Sequence, residues 1–276
     1  MKNIKKCIIL TCVLLLTCIS ILIYLDAIKG SDLDSFLNET VSELKPSIYC
    51  IMVTGFNDTR VRFAKASLQN FFQQSYVNKK IVIINQSNET IKEKEHQNVI
   101  EMMVKKTDLG ILRNLALEVV PPNAIWTTWD DDDWRSSEYL EILEKELSRD
   151  PKKKVLMYTN RLEHNVLTNF TWRVKIPSGS YIFFMYNNPF IKYENIANKE
   201  DANIKKTISE DRRETVIFNN PEYAMYVRFV HGNNTSVYVD NGKDNLIKYK
   251  NNALIETEAT KEEKKYVNVV KKMFYK

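Results

Sequence analysis

The chain has 276 residues, 44% hydrophobic and 27% charged, with 40 Lys and Arg against 35 Asp and Glu. This composition excludes disorder along the whole chain, and the length allows one large domain or two small ones. The net charge is only +5, with Lys2, Lys5 and Lys6 all at the very start, which excludes a dedicated polyanion-binding surface and a nucleic-acid partner.

Residues 1–6 form a basic tail ahead of Cys7 to Leu25, nineteen residues without a charge. At 1.5 Å per residue such a helix crosses a hydrocarbon layer of roughly 30 Å, so 7–25 reads as a membrane anchor. A cleaved signal peptide would need a shorter apolar region and a small-residue cleavage site, and Asp26-Ala27-Ile28-Lys29 fits that poorly. Lysines precede the span, whereas Asp26, Asp32, Asp34 and Glu39 outnumber Lys29 after it. The positive-inside rule then predicts a single-pass type II protein with a lumenal or extracellular body, in the Golgi or ER if the source is eukaryotic or the host of a virus. Residues 26–46, polar and charged, read as a stem. Cys50 is the lone cysteine beyond the span, so no disulfide staples the body. Glycosylation sequons at Asn38, Asn85, Asn88, Asn169 and Asn233 carry little weight in so Asn-rich a chain.

The body, 47–276, alternates strands and helices. Ile48 to Thr54 is a short apolar run ended by Gly55, as in a strand buried on both faces. Val61 to Phe72 follows with Ala64, Leu68 and Phe71 at helical spacing. Lys80 to Ile84 is a second strand and Val99 to Val104 a candidate third. Ile111 to Val120 is helical up to Pro121-Pro122, Ala124 to Trp129 is a strand, and Ser137 to Leu147 a helix with Leu140, Leu143 and Leu147 on one face. The alternation predicts an α/β fold with a mostly parallel sheet flanked by helices. Further on, 155–159, 181–185, 215–218 and 223–230 read as strands, 193–206 as a polar mobile loop and 256–276 as a helix. There is no internal repeat.

Trp129-Asp130-Asp131-Asp132-Asp133-Trp134 sets four carboxylates directly after a buried strand, where open α/β sheets bind ligands. An isolated acidic run is more often a solvated turn that caps the next helix. Its position after an apolar strand reverses that preference, because partly buried like charges are costly without a cation, and a hard divalent ion would relieve the cost. Strict alternation would pair Asp130 with Asp132 on one side and Asp131 with Asp133 on the other.

At this point the order of segments from Ile48 to about Leu147 resembles the nucleotide-sugar-binding half of GT-A-fold glycosyltransferases, family 2 in particular. Val53-Thr54-Gly55-Phe56-Asn57 is similar to their first strand and turn, and Phe63 to Tyr76, with its glutamine-rich end, to the helix that follows. Lys105 to Leu117, containing Leu109-Gly110 and Arg113-Asn114, resembles the segment under the donor, and Trp129 to Trp134 resembles the DxD motif. The resemblance implies a Rossmann-like mixed sheet and a nucleotide-sugar donor, with UDP the expected nucleotide. It also implies that Asp130 and Asp132 hold Mn2+ or Mg2+, which neutralises charge developing on the departing diphosphate. Arg113 is the expected diphosphate contact, although helix propensity alone also explains an Arg there. Thr54, Asn57, Asn85, Asp108 and Asp131 complete the nucleotide side. One departure stands out: the second strand of the family ends in an Asp pair, and here Asn85-Gln86 takes its place.

Ser209-Glu210-Asp211 resembles the family's Glu-Asp motif near the acceptor, which makes Asp211 the expected general base and Glu210 an acceptor-positioning residue. The bland alternative is a surface ion-pair segment with Arg212 and Arg213. Val230-His231-Gly232 resembles a terminal segment whose histidine completes the metal site, and imidazole suits Mn2+. Trp172, Tyr181 and Tyr186 are candidate acceptor contacts, though aromatics are more often core. The leading function is therefore an anchored, metal-dependent, inverting glycosyltransferase acting on a hydroxyl of a glycan, protein or lipid. A catalytically degenerate glycan- or nucleotide-binding module is the alternative. A nucleotidyltransferase is the third reading, and the isolated glycines Gly55, Gly110 and Gly179 offer it no phosphate-cradling loop.

Overall fold

A computed structural model describes residues 45–55, 57–175, 182–197, 200–201, 203–204, 206, 208, 214–218, 225–231 and 255–274. The predicted anchor at 7–25 and nearly all of the stem lie outside them. Among the described residues no helix is long and apolar enough to cross a membrane. The fold belongs to the compact unit Pro46–Lys276.

The first crossover is built as the apolar pattern dictates. Strand β1 (Ile48–Thr54) is buried at all seven positions. Its alternate residues feed two cores: Ile48, Cys50 and Met52 join one cluster, Tyr49, Ile51 and Val53 the other. Helix α1 (Asp58–Phe72) starts three residues earlier than the apolar period indicates, because Asn57 caps it by accepting the Arg60 amide at 3.0 Å. Its Val61, Ala64, Leu68 and Phe71 lie in the first cluster. Strand β2 (Lys79–Asn85) pairs parallel with β1 in a register that sets Thr54 beside Asn85. Strand β3 (Val99–Met103) extends the sheet in parallel, and helix α2 (Leu109–Val119) covers the second cluster with Leu112 and Ala116. Strand β4 (Ile125–Thr128) returns to the other side of β1, also parallel. Each fully buried side chain of this kind contributes about 1.5–3 kcal/mol relative to exposure.

After the three-residue strand β5 (Asp133–Arg135), helix α3 (Tyr139–Ser148) packs Leu140, Leu143 and Leu147 into the first cluster. Strands β6 (Val155–Tyr158), β9 (Ile182–Tyr186) and β10 (Thr215–Phe218) complete a seven-stranded sheet in the order β10-β6-β9-β4-β1-β2-β3. The pairs β4/β9 and β6/β9 are antiparallel and the others parallel, so the sheet is mixed and mostly parallel as expected.

A second, five-stranded sheet was not expected as a sheet, and of its strands the pattern reading had only the one at 223–230. It contains β5, the hairpin β7 (Asn160–Asn165) and β8 (Phe170–Lys175), β11 (Tyr226–Val230) and β12 (Ile255–Glu258), in the order β12-β8-β7-β11-β5. The hairpin turn is held by Asn165, whose side chain accepts the Leu167 and Thr168 amides, and by Asn169 at a φ of 55°. The C-terminal helix α4 (Lys261–Phe274) is shorter than predicted because β12 takes the preceding residues. Val267 and Val270 of α4 pack with Phe63, Leu162, Val227 and Phe229 in a third cluster.

Gly55 has φ 89°, and a Cβ there would collide with the Ser87 and Gln86 amide nitrogens and the Asn85 Oδ1. Gly55→Ala is therefore expected to cost about 1–3 kcal/mol through backbone strain before any clash is counted. Chemical denaturation measures this, and an unchanged midpoint would mean that the turn after β1 is not held closed.

Candidate active site

The sheet order changes direction at β1, which pairs with β2 on one side and with β4 on the other. Open α/β sheets bind ligands at such a switch point, outside the carboxyl ends of the strands, here those of β1 and β4. Trp129 prolongs β4 by donating its amide to the Ile51 carbonyl at 2.8 Å, and its fully buried ring packs against Phe71 and Tyr139. The acidic run begins at the next residue.

The four carboxylates do not alternate, because Asp131 and Asp132 form a turn rather than extended strand. Both face Arg60, which corrects the expected pairing of Asp130 with Asp132. The Arg60 side chain, at 6% exposure, donates Nε to Asp131 Oδ2 at 3.1 Å and Nη1 to Asp132 Oδ2, while Nη2 forms an ion pair with Asp131 Oδ1. Thr54 Oγ1 donates to Asp131 Oδ2 at 2.6 Å, so Asp131 and Thr54, both fully buried, serve as internal supports of the turn. This corrects the expectation that the side chains of Asp131 and Thr54 face a nucleotide. Asp130 is the open member, 41% exposed, and accepts from Arg113 Nη2 at 3.3 Å. Asp133 starts β5 and accepts the Tyr226 hydroxyl.

Burial separates the protonation of these groups. It raises Asp131 well above the usual carboxylate range, against the pull of Arg60. At Asp132 the same burial is overcome by Arg60 and His231, which hold the group below that range. One guanidinium cannot neutralise two buried carboxylates, so Asp131 is the member of the pair that takes up a proton first. Burial, followed by the Asp132 and Asp130 charges, pushes Asp133 up to about 8.

His231 reaches the turn because β11 pairs antiparallel with β5, Arg228 opposite Asp133. Its Nε2 lies 3.1 Å from Asp132 Oδ2, and its ring packs against Phe63 at 4.9 Å. Of the other predicted residues, Asn57 is the cap of α1 and Asp108 stands exposed at the start of α2. Asn85 is fully buried with its amide engaged on both sides. It donates to the Glu89 carbonyl and Glu101 Oε1 at 2.8 Å each, and accepts from the Ser87 amide and hydroxyl. This corrects its expected role as a base or ribose contact, and explains the departure from an acid at this position. A carboxylate could not donate to Glu101. Beside it, Gln86, Ser87, Lys105 and Lys106 line an open cleft of about 520 Å³ at the ends of β2 and β3.

The second half contributes a residue that sequence reasoning missed. Glu200 is 5% exposed and takes Arg113 Nη1, so Arg113 bridges Asp130 and Glu200. The segment around it is seated on α2 rather than loose, which corrects the expectation for 193–206 at its described residues. Asn114 exchanges hydrogen bonds with the Tyr193 backbone, Gly110 donates to the Ile196 carbonyl, and Arg113 lies over the Tyr193 ring at 5.2 Å. A Cβ on Gly110 would collide with the Glu194 carbonyl, so the seat requires glycine. Glu200-Asp201 repeats the Glu-Asp dipeptide of Glu210-Asp211, a signal present in the sequence and passed over. Glu210 and Asp211 lie outside the described residues, as do Tyr181 and Gly232.

Among the described residues, no group of three or more His, Cys, Asp or Glu side chains is gathered to hold a metal. Small divalent ions are nonetheless commonly held by one or two carboxylates plus substrate phosphates. Adjacent ligands of one octahedral ion lie about 3 Å apart, near the spacing of Asp132 and His231. The donor set of Asp132 and His231, with Asp130 open beside it, fits an ion of that kind.

No protein-family model matches the sequence, and no curated protein does. The structure is similar to a mannosyltransferase of Pyrobaculum calidifontis solved in complex with GDP-Man and Mn2+, with a TM-score of 0.51 and 13% identity. The likeness covers 69% of this chain and 59% of that one. It shows the fold, a glycosyltransferase fold of mixed α/β type.

The Asp133 carboxyl, raised from 3.8 to about 8 on folding, binds its proton more tightly in the folded chain than in the unfolded one. Its contribution to stability therefore falls as pH rises through that window. In EDTA, Asp133→Asn is expected to lose less thermal stability than the parent chain between pH 5 and pH 8. Identical losses would show that Asp133 is ionised throughout.

Proposed function

We propose that the chain is a glycosyltransferase of the GT-A type, close to family 2, that moves a sugar from a nucleotide donor to a hydroxyl with inversion. The carrying observation is the meeting, at the carboxyl end of β4, of Asp132 with His231 and of Asp130 with Arg113 and Glu200. Residues distant in sequence supply a carboxylate–imidazole pair and a guanidinium–carboxylate bridge at one switch point. The acceptor is a glycan, protein or lipid hydroxyl, and the body, 47–276, stands outside the cytoplasm on an anchor at 7–25.

In this reading Asp132 and His231, with Asp130, would hold Mn2+ or Mg2+, which would supply positive charge against the leaving nucleoside diphosphate. Arg113, fixed by Tyr193 and by two carboxylates, supplies a second positive charge beside the diphosphate. The cleft lined by Gln86, Ser87, Lys105 and Lys106 suits the nucleoside, with UDP the first candidate. A carboxylate on the acceptor side then takes the proton from the attacking hydroxyl. Two Glu-Asp pairs compete for that role. Seating of Glu200 on Arg113 supports Asp201 as the base, ahead of Asp211.

Calorimetric titration with UDP, GDP and CDP, with and without Mn2+, tests the reading. Binding of one nucleotide only with Mn2+ is expected, together with slow hydrolysis of the matching sugar nucleotide. Binding without hydrolysis or transfer would instead identify a degenerate module. Asp132→Asn is expected to abolish the metal dependence of binding, and undiminished metal-dependent affinity would remove Asp132 from the site. Asp201→Asn is expected to leave nucleotide binding intact and slow transfer by about 10²–10⁴. Should Asp211→Asn show that loss instead, the base is Asp211.

A further inference from the structure

We propose that Arg60 is the resident cation of the acidic turn and holds Asp132 back from divalent ions, so that the ion is taken up together with the nucleoside diphosphate and not by the protein alone. The proposal rests on the glycosyltransferase reading for the identity of the second ligand, and on geometry for the role of Arg60.

Arg60 spans two carboxylates with different ends of one planar fork. Nε and Nη2 hold Asp131, while Nη1 holds Asp132 Oδ2. The same Asp132 oxygen faces His231 Nε2 at 3.1 Å, so an ion shared by Asp132 and His231 approaches an atom that already carries a guanidinium contact. Arg60 is poorly placed to swing aside. Its backbone lies in the first turn of α1, capped by Asn57, and the Asp131 end of the fork is fixed in turn by Thr54. A fixed positive charge against the ligand oxygen lowers affinity for a second cation. A diphosphate brings negative charge to the same place and offsets that repulsion. Because coupling between two ligands is reciprocal, the ion must raise nucleotide affinity by the factor by which the nucleotide raises ion affinity.

The test uses the full chain and calorimetry with MnCl2 alone, UDP alone and both. The parent chain is expected to show no saturable Mn2+ binding without UDP. Arg60→Gln alone strands two buried carboxylates and endangers folding. The paired variant Arg60→Gln with Asp131→Asn removes the guanidinium together with the buried carboxyl it holds most closely, and so releases Asp132 without leaving Asp131 to be ionised alone. It is expected to bind Mn2+ alone at least tenfold more tightly than the parent and to lose most of the UDP dependence. Asp131→Asn alone keeps Arg60 on Asp132 and is expected to show no such gain. If the paired variant does not give a cooperative thermal melt, Arg60→Lys carries the comparison, since a point charge cannot reach both carboxylates as the fork does. A several-fold gain in Mn2+ affinity is expected of it.

Tight Mn2+ binding by the parent chain without nucleotide would overturn the proposal. So would a folded paired variant, or failing that an Arg60→Lys variant, with no gain over the parent. Failure of UDP, GDP and CDP to bind in any condition would instead overturn the glycosyltransferase reading, and the Mn2+-alone comparison would still decide the role of Arg60.

Discussion

Two carboxylates at the end of the central strand, Asp131 and Asp132, are withdrawn from water against a single guanidinium, that of Arg60. An unpaired buried charge costs several kcal/mol, so the acidic turn and the first helix cannot be placed independently. Asn57 caps α1 at the residue that aims Arg60 at the turn, and Val61, Ala64, Leu68 and Phe71 bury the same helix against the sheet. Thr54, the last residue of β1, donates to Asp131. The carboxyl ends of β1 and β4 and the start of α1 are thus joined by charge as well as by packing. His231, arriving through the β11/β5 pairing, joins the second sheet to the same point.

The first half of the fold was legible because its strands are buried on both faces and its helices each show one apolar stripe. Ile48 to Thr54 and Lys80 to Ile84 can satisfy such a pattern only in the interior of a covered sheet. The second sheet was not legible for the converse reason. Strand β7, Asn160–Asn165, mixes Arg161, Glu163 and His164 with a single Leu162, and its partners come from distant segments. Strand β5 is three residues long and derives its conformation from β11 rather than from its own residues. Short, partly exposed strands joined by non-local pairs carry little periodicity for a sequence to display.

At the site, the need for a cation beside Asp130 to Asp133 could be read from charge and position, while the identity of the cation already present could not. Nothing local marks Arg60 as buried rather than Arg62, since helical spacing places Arg60 on the sheet-facing side only once the Asn57 cap is known. The assumption of alternating side chains failed because the run bends into a turn, which gathers neighbours that a strand would separate. Glu200 escaped notice because its segment carries only scattered apolar residues, Tyr193, Ile196 and Ile204, without a regular period. That segment is held by hydrogen bonds to Asn114 and Gly110 and by the ring of Tyr193, contacts without a periodic signature.

The same arrangement occurs twice at the switch point. Arg60 stands between Asp131 and Asp132, and Arg113 between Asp130 and Glu200, each guanidinium facing two carboxyl groups. Counted as ionised groups, each trio carries one negative charge in excess, and the proton that burial favours on Asp131 brings the Arg60 trio to neutrality. On the proposed reading, an anionic nucleotide arriving alone would meet like charge at Asp130 and Asp132, which a divalent ion would offset. The two arginines therefore make the burial of Asp131, Asp132 and Glu200 tolerable. Asn85 follows the same logic at the neighbouring strand end: a neutral amide satisfies Glu101 where a further carboxylate would have required another cation.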